Sequence, residues 1–211
     1  WLIRTRQLRS EDAPRIPDIR ETGRKLPRIL TVAEVKRLFE AAKTTPKSAR
    51  DTALLHALYS CGMRVTEACT LRVDALSGEG ADAVLRVQGK GSKERDIPLG
   101  GDVTAIFEAQ AEAARQSGPW MFPGEVDGDH LCKSRATTLL GNLGDRAGIG
   151  RVNPHALRHA VATHFLDSGM GIRFVQEFLG HASIQTTQMY CAVSKASLCR
   201  EVGKARGGRA A

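Results

Sequence analysis

Apolar side chains recur along most of this chain at helical intervals, and one short stretch alternates every second position instead. Thr31 and Glu34 stand at capping-box spacing, and Val35, Leu38, Phe39 and Ala42 follow on one stripe, which predicts a helix starting after Thr31. A second helix is expected over 49–59 with Leu54, Leu55 and Leu58 buried, broken by Cys61 and Gly62. A third starts near Val65 and carries Ala68, Cys69 and Leu71, so Arg64 falls at a helix–turn–helix junction. Residues 83–88 alternate in the manner of a strand, and Ile97 and Leu99 mark a second extended run. GKGSKER between them reads as a hairpin tip whose glycines supply positive φ. Helices are expected over 103–115 and 133–147, separated by the loop SGPWMFPGEVDGD. Asn153-Pro154 is a helix start, with Asn as N-cap and Pro at the first helical position. That helix places His155 and Arg158 on one face, turns Leu157, Val161 and Phe165 inward, and ends at Gly169. Another runs over 172–179 and closes at Gly180, so His181 is set by that turn. Ser183 caps a short helix carrying Tyr190, and an amphipathic segment follows over 194–202. The expected fold is mainly α with a small antiparallel β-sheet.

Composition narrows the class. The chain has 211 residues, 42% of them hydrophobic, enough for one domain with a sizeable core plus tails. No apolar run approaches the roughly 18 residues of a membrane span, and the basic start WLIRTRQLRS lacks the apolar stretch of a signal peptide. The chain opens on Trp1 and is expected to be part of a longer protein. Five cysteines (61, 69, 132, 191, 199) form no C-x-x-C pair and read as reduced thiols of a cytoplasmic protein. Lys and Arg outnumber Asp and Glu by 31 to 23, which favours a polyanionic partner. The excess is densest at the start, where eight basic residues face four acids among the first 28. Residues 1–29 thus read as a basic linker or arm, either lying along phosphate or solvated.

The candidate chemistry is a set of separated residues. Tyr190 lies nine residues after His181, which lies 23 past the His155-x-x-Arg158 pair; Arg64 and Lys90 stand upstream. Two arginines suit a phosphodiester, because guanidinium is planar, permanently charged and bidentate to phosphate. A lysine beside other cations suits the general acid for a leaving 5′-oxygen, with Lys90 and Lys93 as candidates. His155 and His181 can donate to the phosphate or take the tyrosine proton. Taken singly, each residue has a plainer reading: an ion-paired arginine, a solvated hairpin lysine, an ordinary buried tyrosine. Tyr59 is assigned to a core helix, His159 and His164 to packing or helix bonding, and His56 and His130 to no role. His155 and His159 have zinc-like spacing but lack the glutamate of H-E-x-x-H, so no metal is assigned.

In order and spacing, CGMRVTEACTLR, GKGSKERDIPL, NPHALRHAVATHFLDSG and FVQEFLGHASIQTTQMY resemble the tyrosine recombinase (phage integrase) family, closest to its Xer-like members. The resemblance implies that Arg64, Lys90, His155, Arg158 and His181 activate a DNA phosphate and that Tyr190 attacks it. A 3′-phosphotyrosyl link and a free 5′-hydroxyl result, with no cofactor, metal or ATP. It implies double-stranded recombination sites as partners, a monomer when free, a homotetramer on DNA, and a place in the prokaryotic cytoplasm at the nucleoid. The domain plan it suggests is an arm over 1–29, a catalytic domain over 30–193 and a C-terminal helix and tail over 194–211, without the family's N-terminal core-binding domain. Arg4, Arg6, Arg24, Lys25 and Arg28 on the arm, with Lys93 and Arg95 at the hairpin, are candidate DNA contacts. The chain departs from the family text at Cys61, Met63, Ala160-Val161 and Cys191-Ala192, none of them catalytic positions. The alternatives are a type IB topoisomerase, built on a similar residue set, or a non-catalytic DNA-binding protein of the same fold.

Overall fold

The computed structural model describes residues 28–89, 94–126 and 128–180. Among these residues, seven α-helices and three strands follow in the order α1 (Val32–Lys43), α2 (Ser48–Leu58), α3 (Val65–Cys69), β1 (Leu76–Ser77), β2 (Val84–Gln88), β3 (Glu94–Pro98), α4 (Gly101–Arg115), α5 (Lys133–Arg146), α6 (Pro154–Asp167) and α7 (Ile172–Leu179). The fold is therefore mainly helical with one small antiparallel sheet in the order β1-β2-β3.

Local signals set the helix starts. Thr31 and Glu34 close the capping box in both directions: the Thr31 amide donates to Glu34 at 2.8 Å and the Glu34 amide to Thr31 Oγ1 at 3.2 Å. Asn153 Oδ1 accepts from the Ala156 amide at 2.9 Å, with Pro154 behind it. These bonds satisfy amides that a helix start leaves without partners. The expected starts of these seven helices hold to within two residues, the usual fraying of helix ends.

The sheet is a hairpin with an added edge. Leu85 pairs with Ile97 and Val87 with Arg95, so Leu85, Val87 and Ile97 share the buried face with Arg95. On the outer face Arg86 and Asp96 form a cross-strand ion pair at 3.0 Å. The edge strand β1, two residues long, has no period of its own and exists through its pairing with β2.

One large apolar cluster joins α1–α5, the sheet and the start of α6, with Leu38, Leu54, Leu58, Phe107 and Leu140 fully buried. The loop between α4 and α5 is part of it. Met121 and Phe122 are fully buried there, and the Met121 amide donates to the Leu71 carbonyl at 2.7 Å. A second, smaller cluster lies under α6 and α7: Val161, Ala162, Leu166, Val175 and Leu179. Among the described residues no helix is long and apolar enough to cross a membrane.

Candidate active site

Two turns and a helix start converge where the two clusters meet. The first is the break between α2 and α3, where Gly62 has φ +58° and any Cβ would stand 2.7 Å from Leu179 Cδ2. Only glycine accommodates both the left-handed backbone and this approach of α7. Arg64 follows as the N-cap of α3, with extended backbone. The second turn is the end of α7, where Gly180 closes the helix in the left-handed region at φ +62°. The third element is the first half of α6, which carries His155 and Arg158.

Both candidate arginines bind the turn at the end of α7, and Arg158 also binds the first turn. Arg158 is buried and donates through Nη1 to the Gly62 carbonyl and through Nη2 to the Leu179 carbonyl. Arg64 donates through Nη2 to the Gly180 carbonyl at 3.1 Å. The two guanidiniums are thus anchored to consecutive carbonyls, those of Leu179 and Gly180, immediately before His181 in the chain. Arg158 is nearly closed off, whereas the Arg64 side chain keeps 37% of its exposure, so Arg64 is the one with an open face. His155, one turn earlier on α6, is exposed.

The sequence reading missed the residue that holds this arrangement together. Glu67, buried on α3, accepts from Arg64 Nη1 at 2.7 Å and from the Arg64 amide at 2.9 Å. It also accepts from both terminal nitrogens of Arg95, at 3.2 and 2.8 Å. Burial pushes the Glu67 carboxyl up, but the hydrogen bonds from Arg95 and Arg64 and the charge of Arg95 outweigh it and hold the group below its ordinary value. Arg95, a candidate DNA contact in the sequence, points inward from β3, 15% exposed, with its guanidinium against Gly180. A Cβ at residue 180 would lie 3.2 Å from Arg95 Nη1. The hairpin, the Arg64 turn and the end of α7 therefore share one charged knot. Two signals for it were present: Glu67 stands three residues after Arg64, and Arg95 stands two before the buried Ile97.

The remaining candidates divide. Tyr59 caps the end of α2, and its hydroxyl lies 2.8 Å from His164 Nδ1 on α6. Burial raises the Tyr59 phenol and lowers the His164 imidazole, so both stay neutral and serve packing. His56 packs on Phe39 at 4.5 Å between ring centroids, and His130 lies edge-on to Trp120 at 5.2 Å. Arg28 pairs with Glu34 and donates to the Ile149 carbonyl at 3.0 Å. Burial drives the Cys61 thiol up to about 12 and Cys69 up to about 11, which keeps both protonated. Among the described residues no group of His, Cys, Asp or Glu is placed to hold a metal ion. Lys90, Lys93, His181 and Tyr190, the arm residues Arg4, Arg6, Arg24 and Lys25, Cys191, Cys199 and the segment 194–202 lie outside the described residues.

Residues 28–197 match the phage integrase family. Tyrosine recombinase XerD of Rhizobium meliloti (strain 1021) is 38% identical over 199 residues, 88% of this chain and 63% of the relative. This chain thus spans less than two thirds of that relative's length. Among solved structures, XerA recombinase superposes with a TM-score of 0.75 at 28% identity, covering 86% of this chain and 66% of that one. XerH site-specific recombinase, in a post-cleavage complex with a palindromic difH substrate, superposes at 0.72 with 25% identity, covering 87% and 54%.

Proposed function

This chain belongs to the phage integrase family, and from that premise we propose that it is the catalytic part of a site-specific DNA recombinase. Tyr190 is the nucleophile. Its oxygen attacks a backbone phosphorus, the bond from phosphorus to the 5′-oxygen breaks, and a 3′-phosphotyrosine forms. Lys90 gives the leaving 5′-oxygen its proton, and His155 or His181 takes the tyrosine proton. A 5′-hydroxyl from a second strand then attacks the phosphotyrosine and frees Tyr190. The energy of the broken bond is held in the covalent link, so no metal or ATP enters.

Arg64 and Arg158 serve the negative charge that gathers on the non-bridging oxygens in the pentavalent transition state. The observation that carries this reading is their common anchorage on the Leu179 and Gly180 carbonyls. Anchored guanidiniums need little reorganisation when charge develops, and that preorganisation is where such donors gain their effect. Through Glu67 and Arg95 the same knot ties in the strand that leads back to Lys90. In this reading Glu67 and Arg95 are positioning residues. The arm over 1–29 lies along DNA phosphates, the protein acts on nucleoid DNA in the cytoplasm, and a homotetramer assembles on paired sites with 194–202 at the contact between protomers.

A nicked suicide duplex tests the reading. The chain should form an adduct that survives SDS and forms equally well with a chelator present, while Tyr190→Phe should bind DNA and form none. An adduct of undiminished yield in Tyr190→Phe overturns the assignment.

A further inference from the structure

Two cysteines that the candidate site leaves unused stand on either side of the packing between α3 and α5. Cys69 is the last residue of α3 and is buried. Cys132 is the N-cap of α5 and is exposed. The inward stripe of α5 is Ala136, Leu140 and Leu143, and Cys132 stands one turn ahead of Ala136 on the same side. The loop before α5 fixes the spacing at both ends. Its Met121 amide donates to the Leu71 carbonyl at 2.7 Å, two residues after Cys69. Its Phe122 carbonyl accepts from the Leu131 amide at 2.8 Å, one residue before Cys132. Burial is the larger cause that pushes the Cys69 thiol up, and charge on Cys132 is near enough to add to it.

The two thiols differ in the way an oxidisable pair requires. Cys132 Sγ lies 3.2 Å from Ser134 Oγ. That hydroxyl first, then the Arg135 amide at the open end of the helix, hold the Cys132 thiol below its ordinary value, and the Arg135 charge adds to them. An exposed sulfur with thiolate character is the one that meets an oxidant, and the protonated Cys69 beside it is the one that can resolve the product. Cys61 has neither property: it is buried and its thiol is pushed up to about 12.

We propose that Cys69 and Cys132 are a thiol oxidation site: hydrogen peroxide joins them in a reversible disulfide, and the bridge disarms the phosphate clamp. The Cys132 thiolate attacks one peroxide oxygen, the O–O bond breaks, and the sulfur becomes a sulfenic acid while the leaving hydroxide takes a proton to form water. The Cys69 sulfur then attacks the Cys132 sulfur. The S–O bond breaks, and the hydroxyl leaves with the Cys69 proton as a second water. The two thiols lose two electrons and the peroxide gains them; a dithiol reductant reverses the change. A disulfide holds its Cα atoms within about 7 Å, so closing the bridge draws the buried Cys69 toward the exposed Cys132. α3 has only five residues, with Arg64 as its N-cap and Glu67 two residues before Cys69. The pull therefore reaches the carboxylate that holds Arg64 and Arg95. The effect on cleavage rests on the reading of the chain as a DNA strand-transferring enzyme, whereas the bridge itself does not.

The test is a peptide map of the full 211-residue chain after hydrogen peroxide, with the remaining thiols alkylated and the digest kept free of reductant. The Cys69 and Cys132 peptides should appear joined, lighter by two hydrogens than their sum, and dithiothreitol should separate them. Adduct formation on the suicide duplex should fall on oxidation by ~10²-fold, the scale for losing one phosphate donor, and recover with dithiothreitol. Cys132→Ser, which keeps a good helix cap, should form no bridge and hold its rate through the same treatment. Cys69→Ala should also hold its rate, with Cys132 captured by dimedone as the sulfenic acid. Cys132 found only as sulfinic or sulfonic acid, or bridged to Cys191 or Cys199, overturns the pair. A bridged chain that cleaves at the parent rate overturns its control of the clamp. A reduced parent chain that forms no adduct would instead remove the strand-transfer reading, and the peptide map would still decide the bridge.

Discussion

The two apolar clusters are held by different means. The large one joins α1–α5 and the sheet through side chains such as Leu38, Leu54 and Phe107 that are fully buried. The small one under α6 and α7 has five buried apolar residues, and α7 leaves Phe174 69% exposed. Polar contacts also tie α7 to the rest: Arg158 to Leu179, Arg64 to Gly180, and Arg95 packed on Gly180. The lesson is that the residues that would clamp a phosphate also fasten α7. In the proposed reading, catalysis and the docking of α7 share the same hydrogen bonds, while Phe178 of α7 also packs against the large core.

Substitutions can break that comparison. The largest effect is expected from Arg158→Ala, which should slow adduct formation by ~10²-fold or more and also raise hydrogen exchange in α7. A slow variant with α7 fully protected would separate the two roles. Next comes Glu67→Ala, which leaves Arg64 and Arg95 without their carboxylate and should cost about 3–5 kcal/mol in denaturant unfolding, the scale for breaking a buried pair. Because the Glu67 carboxyl lies below its ordinary 4.5, its contribution is present above that pH and is lost as pH falls through the depressed value. The stability gap between the parent and Glu67→Gln should therefore narrow in acid below pH 4.5; a constant gap would deny the charge its role. Leu54→Ala in the large core should cost about 2–5 kcal/mol yet leave the cleavage rate of the folded fraction near the parent's. The smallest effect belongs to Tyr59→Phe, which removes the hydroxyl from His164 and should cost about 1 kcal/mol with cleavage retained. A Tyr59→Phe variant inactive while folded would make that tyrosine more than a packing residue.

How legible the molecule was in its sequence depended on the range of the interaction. Helix starts such as Thr31–Glu34 and Asn153-Pro154 were legible because their bonds close within three residues. The β2–β3 hairpin was legible from alternation, while β1 was not, since two residues carry no period. The segment before α5 was read only as a loop, but Met121 and Phe122 fasten it to the core through contacts distant in sequence. Arg64 and Arg158 were legible as a pair by family spacing. Their shared anchorage was not, because it depends on how α7 packs on Gly62. Arg95 was read as a candidate DNA contact; strand alternation with Ile97 turns it inward, where it pairs with Glu67. The positions of Lys90, His181 and Tyr190 remain expectations from the sequence.

The central claim is that Tyr190 carries the covalent bond to DNA, and mass spectrometry of the trapped adduct tests it most directly. After nuclease and protease digestion, the account predicts a nucleotide phosphate on the peptide containing Tyr190, joined through the 3′ end of the cleaved strand. Attachment to the Tyr59 peptide, to a serine, or through a 5′-phosphate would contradict it.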